Sequence, residues 1–123
     1  MAYDYTGYLD FDLPAAADLS AKQYLFMTVD SSGNAAAATL GADVVGVLQN
    51  APGAASRAAK VRPFGVTKIT LGGNVTAGNR IVTDNNAKGV AAGSADAYNL
   101  GVALATGVSG DVIPMLFRPT GLP

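Results

Sequence analysis

Asp10 and Asp12 are the nearest thing in this chain to a catalytic pair. Residues two apart on an extended strand share a face, so their carboxylates would stand side by side. Two such acids could divide the roles of proton donor and acceptor. The same spacing also suits a solvated or docking face, and that is the expectation here.

Other routes to chemistry are thin. Histidine and cysteine are both absent, which removes the commonest bases, thiol nucleophiles and transition-metal ligands. No Ser-x-x-Lys spacing stands in a supporting context. Asp84-Asn85-Asn86 invites a calcium reading, but a calcium-binding loop of that type needs a distal Glu, and the chain has none. A turn is expected there, because Asp and Asn bond their own backbone and tolerate left-handed conformations. The glycine-rich run from Gly101 to Gly110 contains neither phosphate-binding glycine motif. The expectation is a protein that is not an enzyme, with no catalytic, cofactor-binding or metal-binding residues.

The elements that would carry these residues read as strands. From Tyr3 to Leu13 the pattern has period two: Tyr3, Tyr5, Leu9, Phe11 and Leu13 at odd positions, and Asp4, Thr6, Asp10 and Asp12 at even ones. Such a segment shows one aromatic and aliphatic face and one acidic face until Pro14 stops it. Residues 1–17 are expected to form an N-terminal arm, either an edge strand of its own barrel or a strand laid on a neighbouring molecule. Further strands are expected at Gln23 to Val29, Ala35 to Thr39, Val44 to Leu48, Ala58 to Leu71 with a bend at Gly65, and Arg80 to Thr83. Weaker extended structure is expected at Gly89 to Ala92, then strands at Tyr98 to Ala105 and Asp111 to Arg118. The tail from Pro119 to Pro123 is expected to lie outside the ladder.

The strands come in two sets. Asp18-Leu19-Ser20-Ala21-Lys22 has a near-echo in Asn74-Val75-Thr76-Ala77-Gly78. The turn Asp30-Ser31-Ser32-Gly33 has one in Asp84-Asn85-Asn86, and Gly46-Val47 one in Gly101-Val102. A period of about 55 residues is too long for one hairpin, and two copies are too few for a solenoid. The expected fold is all-β: a small β-barrel or β-sandwich built from two tandem repeats behind an extended N-terminal arm. The expected single β domain spans residues 18–123, with repeat halves at about 18–73 and 74–118 and a short C-terminal tail.

Composition agrees. One domain fits 123 residues. All nine acids are Asp, and fifteen residues are Gly, both unfavourable to helix. Half the residues are apolar, but Ala dominates them and Trp is absent, so burial per molecule is modest and association would add to it. A net charge of −1 argues against nucleic-acid binding, which needs a basic stripe. The N-terminus has no basic segment and no long apolar run, so neither a signal peptide nor a membrane span is expected. Charge is segregated: six acids and only Lys22 up to Asp43, then Arg57, Lys60, Arg62, Lys68 and Arg80 with no acid between them. Complementary ends of this kind can meet across a subunit contact, which makes Arg57 and Arg62 candidate contact residues beside Tyr3, Tyr5, Leu9 and Phe11.

Val45-Gly46-Val47-Leu48-Gln49-Asn50-Ala51-Pro52-Gly53 resembles the capsid cement, or head decoration, proteins of tailed bacteriophages. The resemblance continues through Val61, Phe64-Gly65-Val66, Lys68, Leu71-Gly72-Gly73, Val75-Thr76-Ala77-Gly78 and Asp84. It closes on Gly101-Val102-Ala103-Leu104 and Ile113-Pro114-Met115-Leu116. It covers about Asp18 to Arg118. The pattern departs after Pro52, where Ala55-Ser56-Arg57 stand in place of a glycine-rich loop. The resemblance implies a virion protein on the outer surface of the head, a homotrimer that binds the major capsid protein and clamps its subunits together. It implies no cofactor, and neither nucleic acid nor membrane as partner.

Two other readings fit parts of the pattern. One is another structural virion component, such as a tail or fibre domain. The other is a lipoyl or biotinyl carrier domain, also a duplicated β-hairpin barrel, with Lys88 as the only candidate carrier; Ala87 stands where carriers place Asp or Met.

Overall fold

The computed structural model describes residues 9–93 and 99–121. They form ten strands and, among the described residues, no helix. The strands are β1 (Phe11–Pro14), β2 (Phe26–Val29), β3 (Ala35–Ala37), β4 (Gly46–Leu48), β5 (Ala58–Arg62), β6 (Gly65–Thr70), β7 (Arg80–Thr83), β8 (Gly89–Ala91), β9 (Asn99–Ala103) and β10 (Val112–Gly121). Two five-stranded antiparallel sheets result, in the orders β1-β5-β4-β2-β3 and β6-β10-β9-β7-β8.

The two orders are one order. Replacing β1 to β5 by β6 to β10 turns the first sheet into the second, so the duplication read in the sequence is a duplication of the sheet. Matching ladders equate Met27 with Ile81, Gly46 with Gly101, and Val61 with Met115. Both sheets also curl in the same way: the end of the first strand meets the start of the third through parallel bridges, Ala15 to Ala35 and Leu71 to Gly89.

The halves join at residues 63–64, between β5 and β6. The continuous strand expected from Ala58 to Leu71 is therefore two strands in different sheets. Pro63 cannot donate to a ladder, and Gly65 takes φ of 101°, a conformation that side-chain-bearing residues resist. Of the expected arm, residues 11–14 are β1, paired with β5 in the register Phe11 to Val61. β1 is the counterpart of β6 and thus the first strand of the first half; Tyr3 and Tyr5 lie outside the described residues. The expectation that the tail leaves the ladder at Pro119 is corrected. β10 runs on to Gly121, which faces Asn99 across a register shift after Phe117, and a ladder interrupted there asks no bond of Pro119.

One core serves both sheets. Alternate residues turn inward, as a half-buried strand requires: Val61 and Ala59 from β5, Ile69 and Thr67 from β6, Ile113, Met115 and Phe117 from β10. Phe26 and Phe117, both fully buried, bring the halves together with ring centroids 6.1 Å apart and planes tilted by 39°. The repeated Gly-Val pair has a packing cause. A Cβ on Gly46 would stand 2.5 Å from the Arg62 carbonyl oxygen and from Val61 Cγ1. One on Gly101 would strike the Leu116 carbonyl oxygen and lie 2.6 Å from Met115 Cε. In each sheet the fourth strand passes so close to the fifth that only glycine fits.

The halves also share hydrogen bonds. Phe26 N–H donates to the Ala87 carbonyl at 2.9 Å, and Thr70 N–H to the Tyr24 carbonyl at 2.9 Å. Gln49 Nε2 donates to Thr67 Oγ1 at 2.7 Å, which satisfies a hydroxyl that is only 1 % exposed. Arg62 Nη1 donates to the Val66 carbonyl at 3.1 Å.

Candidate interaction surfaces

Asp10 and Asp12 each pair with a cation of β5. Asp10, just before β1, accepts Arg62 Nε at 2.9 Å on one oxygen and Nη2 at 3.0 Å on the other. Both side chains are mostly shielded, at 14 % and 13 % exposure, so this bidentate pair is held in a partly dry setting. Asp12 sits opposite Lys60 in the ladder, and their side chains pair at 3.6 Å in the open. The outer face of β1 and β5 is thus a polar surface of matched charges, and Arg62 is tied to Asp10 and Val66 of its own chain.

Asp84 is a turn residue. Its Oδ1 accepts the N–H groups of Asn86 at 2.8 Å and Lys88 at 2.9 Å. Asp30 holds the equivalent turn identically, accepting from Ser32 at 3.0 Å and Asn34 at 2.8 Å. Each Asp closes a hairpin, β2–β3 or β7–β8, by acting as the acceptor of its own loop. Lys88 is half-buried at the foot of this turn, while Asn85 and Asn86 form its exposed tip. A lysine carrying a swinging cofactor would stand at the tip. Among the described residues no group of three or more acids is placed to hold a metal ion.

The sequence-derived contact residues fall in different settings. Leu9 is 84 % exposed and precedes β1. Phe11 packs partly against the core. Arg57 is exposed, beside Ser56, which holds a left-handed φ of 73°. The ladder of β1 with β5 runs Phe11 to Val61. Phe64, in the link that follows β5, is also exposed, at 63 %.

A second apolar surface was not legible in the sequence. β10 lies between β6 and β9, so Leu116 stands between Val66 and Val102. Pro114 faces Lys68 in the same ladder, and its carbonyl accepts the Leu104 N–H. On the equivalent face of the first half stand Asp10 with Arg62 and Asp12 with Lys60. The fold therefore tolerates charge on this face, and the second half, Lys68 apart, has apolar residues there instead.

No protein-family model matches the chain, and no curated protein does. Among solved structures, the fold is similar to the N base of the head fiber protein gp8.5 of bacteriophage phi29. The TM-score is 0.65 and the identity 14 %, over 91 % of this chain and 95 % of that one. At that identity the likeness is one of fold.

Proposed function

We propose that this chain is a structural protein of a tailed-phage virion that sits on the outside of the head, where it binds the major capsid protein and reinforces contacts between capsid subunits as a homotrimer. The observation that carries the reading is the similarity to a phage head-fiber base across nearly the whole of both chains. It is supported by the sequence resemblance to cement proteins, which is drawn from different features.

The mechanism is adhesive. Many identical modest contacts over a closed lattice add their free energies, so a small protein of limited individual affinity stabilises a large shell. Tyr3, Tyr5, Leu9 and Arg57 are the proposed contacts with the shell. Leu9 and Arg57 are exposed, and the tyrosines stand at odd positions of the same period-two sequence pattern. Phe11 contributes from the partly buried side. Arg62, paired with Asp10, shapes that surface through its own chain. No step of chemistry is involved, and the protein is proposed to act as neither enzyme nor carrier.

The neighbour's being a fiber base favours one other reading, that this domain anchors a fibre to the head. Heads of the encoding phage, stripped of the protein, distinguish the two. A cement makes them survive heating better when it is added back. An anchor binds them without changing their stability.

A further inference from the structure

We propose that in the free protein the segment before Leu9 lies over the outer face of the second sheet of its own chain, with Tyr3 and Tyr5 covering the apolar row Val66, Leu116 and Val102.

The row runs straight across three strands. Val66 faces Leu116, Leu116 faces Val102, and Val102 faces Arg80; residues opposite one another share a face of the sheet. Pro114 and Leu104, the latter 38 % exposed, widen the apolar surface by one more row. The equivalent row of the first half is Asp10, Arg62, Val47 and Phe26. There the two charges satisfy each other, and Val47 and Phe26 are fully buried. Val66, Leu116 and Val102 are all partly exposed instead, so an apolar strip lies open where the first half has none.

Place, length and charge all favour the chain's own N-terminus as the cover. The Arg62 guanidinium binds Asp10 through Nε and Nη2 and the Val66 carbonyl through Nη1. It therefore ties the point where the N-terminal segment joins the fold to the first residue of the row. Residues 1–8 precede the described chain. Extended, they reach up to roughly 26 Å, whereas Val66 to Val102 is two strand spacings, about 10 Å. The five strands of the second sheet contain no acid, and Lys68 and Arg80 stand exposed on them. From Met1 to Tyr8 the only charged side chain is Asp4, and three residues are Tyr, whose rings attract cations. A basic face with an apolar strip and an acidic, aromatic segment are complementary. The cover itself does not rest on the proposed function; under that reading the barrel and the shell hold the same tyrosines in turn.

The chain has neither Trp nor Cys, so single probes report without background. In Tyr5→Trp the fluorescence of the free protein is expected to be blue-shifted and shielded from a soluble quencher. Adding Leu116→Arg should shift it to that of a solvated tryptophan. This substitution copies Arg62, the equivalent residue of the first half, and circular dichroism confirms that it folds. Emission that is solvated from the start, or that Leu116→Arg does not move, overturns the proposal. Oxidation of a Tyr5→Cys, Leu116→Cys variant gives a second reading. A disulfide within single chains is expected, seen as faster migration on a denaturing gel and reversed by reduction. Disulfides only between chains would seat the segment on a second copy and overturn the proposal, as would none at all. Both readings use the free protein, so bare heads would count against the proposed function and leave this result unaltered.

Discussion

Gly33 and Ala87 occupy the same place in the two halves, each in a left-handed turn closed by an Asp carboxylate, yet Gly33 is exposed and Ala87 is fully buried. Their φ values, 82° and 64°, put the same conformational demand on both. The difference is what covers them: Ala87 lies under the first half, and its carbonyl takes the Phe26 N–H.

That contrast predicts unequal responses to exchange. Gly33→Ala has open space for its methyl group and is strained by the backbone alone, so a loss of about 1 kcal/mol is expected. Ala87→Gly relieves the same strain but removes a buried methyl worth about 0.8 kcal/mol and frees the unfolded chain by about 0.4–1 kcal/mol. It should come out near neutral or slightly destabilised. Denaturant unfolding of the two variants would show this; a clear gain from Ala87→Gly would mean that burial there contributes little.

The glycines of the fourth strands are constrained by contact rather than by φ. Gly46→Ala and Gly101→Ala each push a methyl group into the carbonyl of a facing strand, and backbone yields poorly. Losses of about 2–3 kcal/mol or more are expected. Gly53→Ala, with nothing within 4 Å, is the control and should unfold within about 0.5 kcal/mol of wild type. Equal midpoints for all three would refute the close-approach argument.

The Asp10–Arg62 pair can be tested against its own duplicate, because the equivalent positions in the second half are Val66 and Leu116. Arg62→Leu alone strands a shielded carboxylate and should cost about 1–3 kcal/mol. The double variant Asp10→Val, Arg62→Leu copies the solution of the second half and should recover the part of that loss due to the stranded carboxylate, while the bond from Arg62 to the Val66 carbonyl stays lost. A double-mutant cycle on unfolding free energies measures the coupling; simple additivity would show the pair to be incidental.

Much of this was legible beforehand. The Asp-Ser-Ser-Gly and Asp-Asn-Asn turns and the alternating strands announced an all-β fold because each depends on local backbone chemistry, and the Gly-Val echo marked its duplication, although its cause is a contact between strands. The assignment of β1 to the first repeat was hidden: Phe11 to Pro14 and Gly65 to Thr70 share a place in the sheet but almost no residue types. The division at Pro63 was hidden too, since apolar alternation continues through it. The direction in which the halves grip each other left no mark in the sequence. It emerges from burial, where Phe26 is fully covered and the equivalent Arg80 is exposed.

Truncations separate the arm from the sheet. Removing residues 2–8 should leave a folded protein, because β1 and its ladder to β5 remain. Removing residues 2–14 takes away a paired strand and should abolish cooperative unfolding. If the shorter truncation still binds heads as well as wild type, Tyr3 and Tyr5 are not contacts.

The account's central claim, a reinforcing protein on the outside of a phage head, is tested most directly on heads of the phage in which it is proposed to act, purified without it. Image reconstruction and heating would follow, with and without the added protein. The account predicts density at regular positions over the outer shell and heads that withstand higher temperature when decorated. Bare shells after incubation, or decorated heads that burst at the same temperature as bare ones, would contradict it.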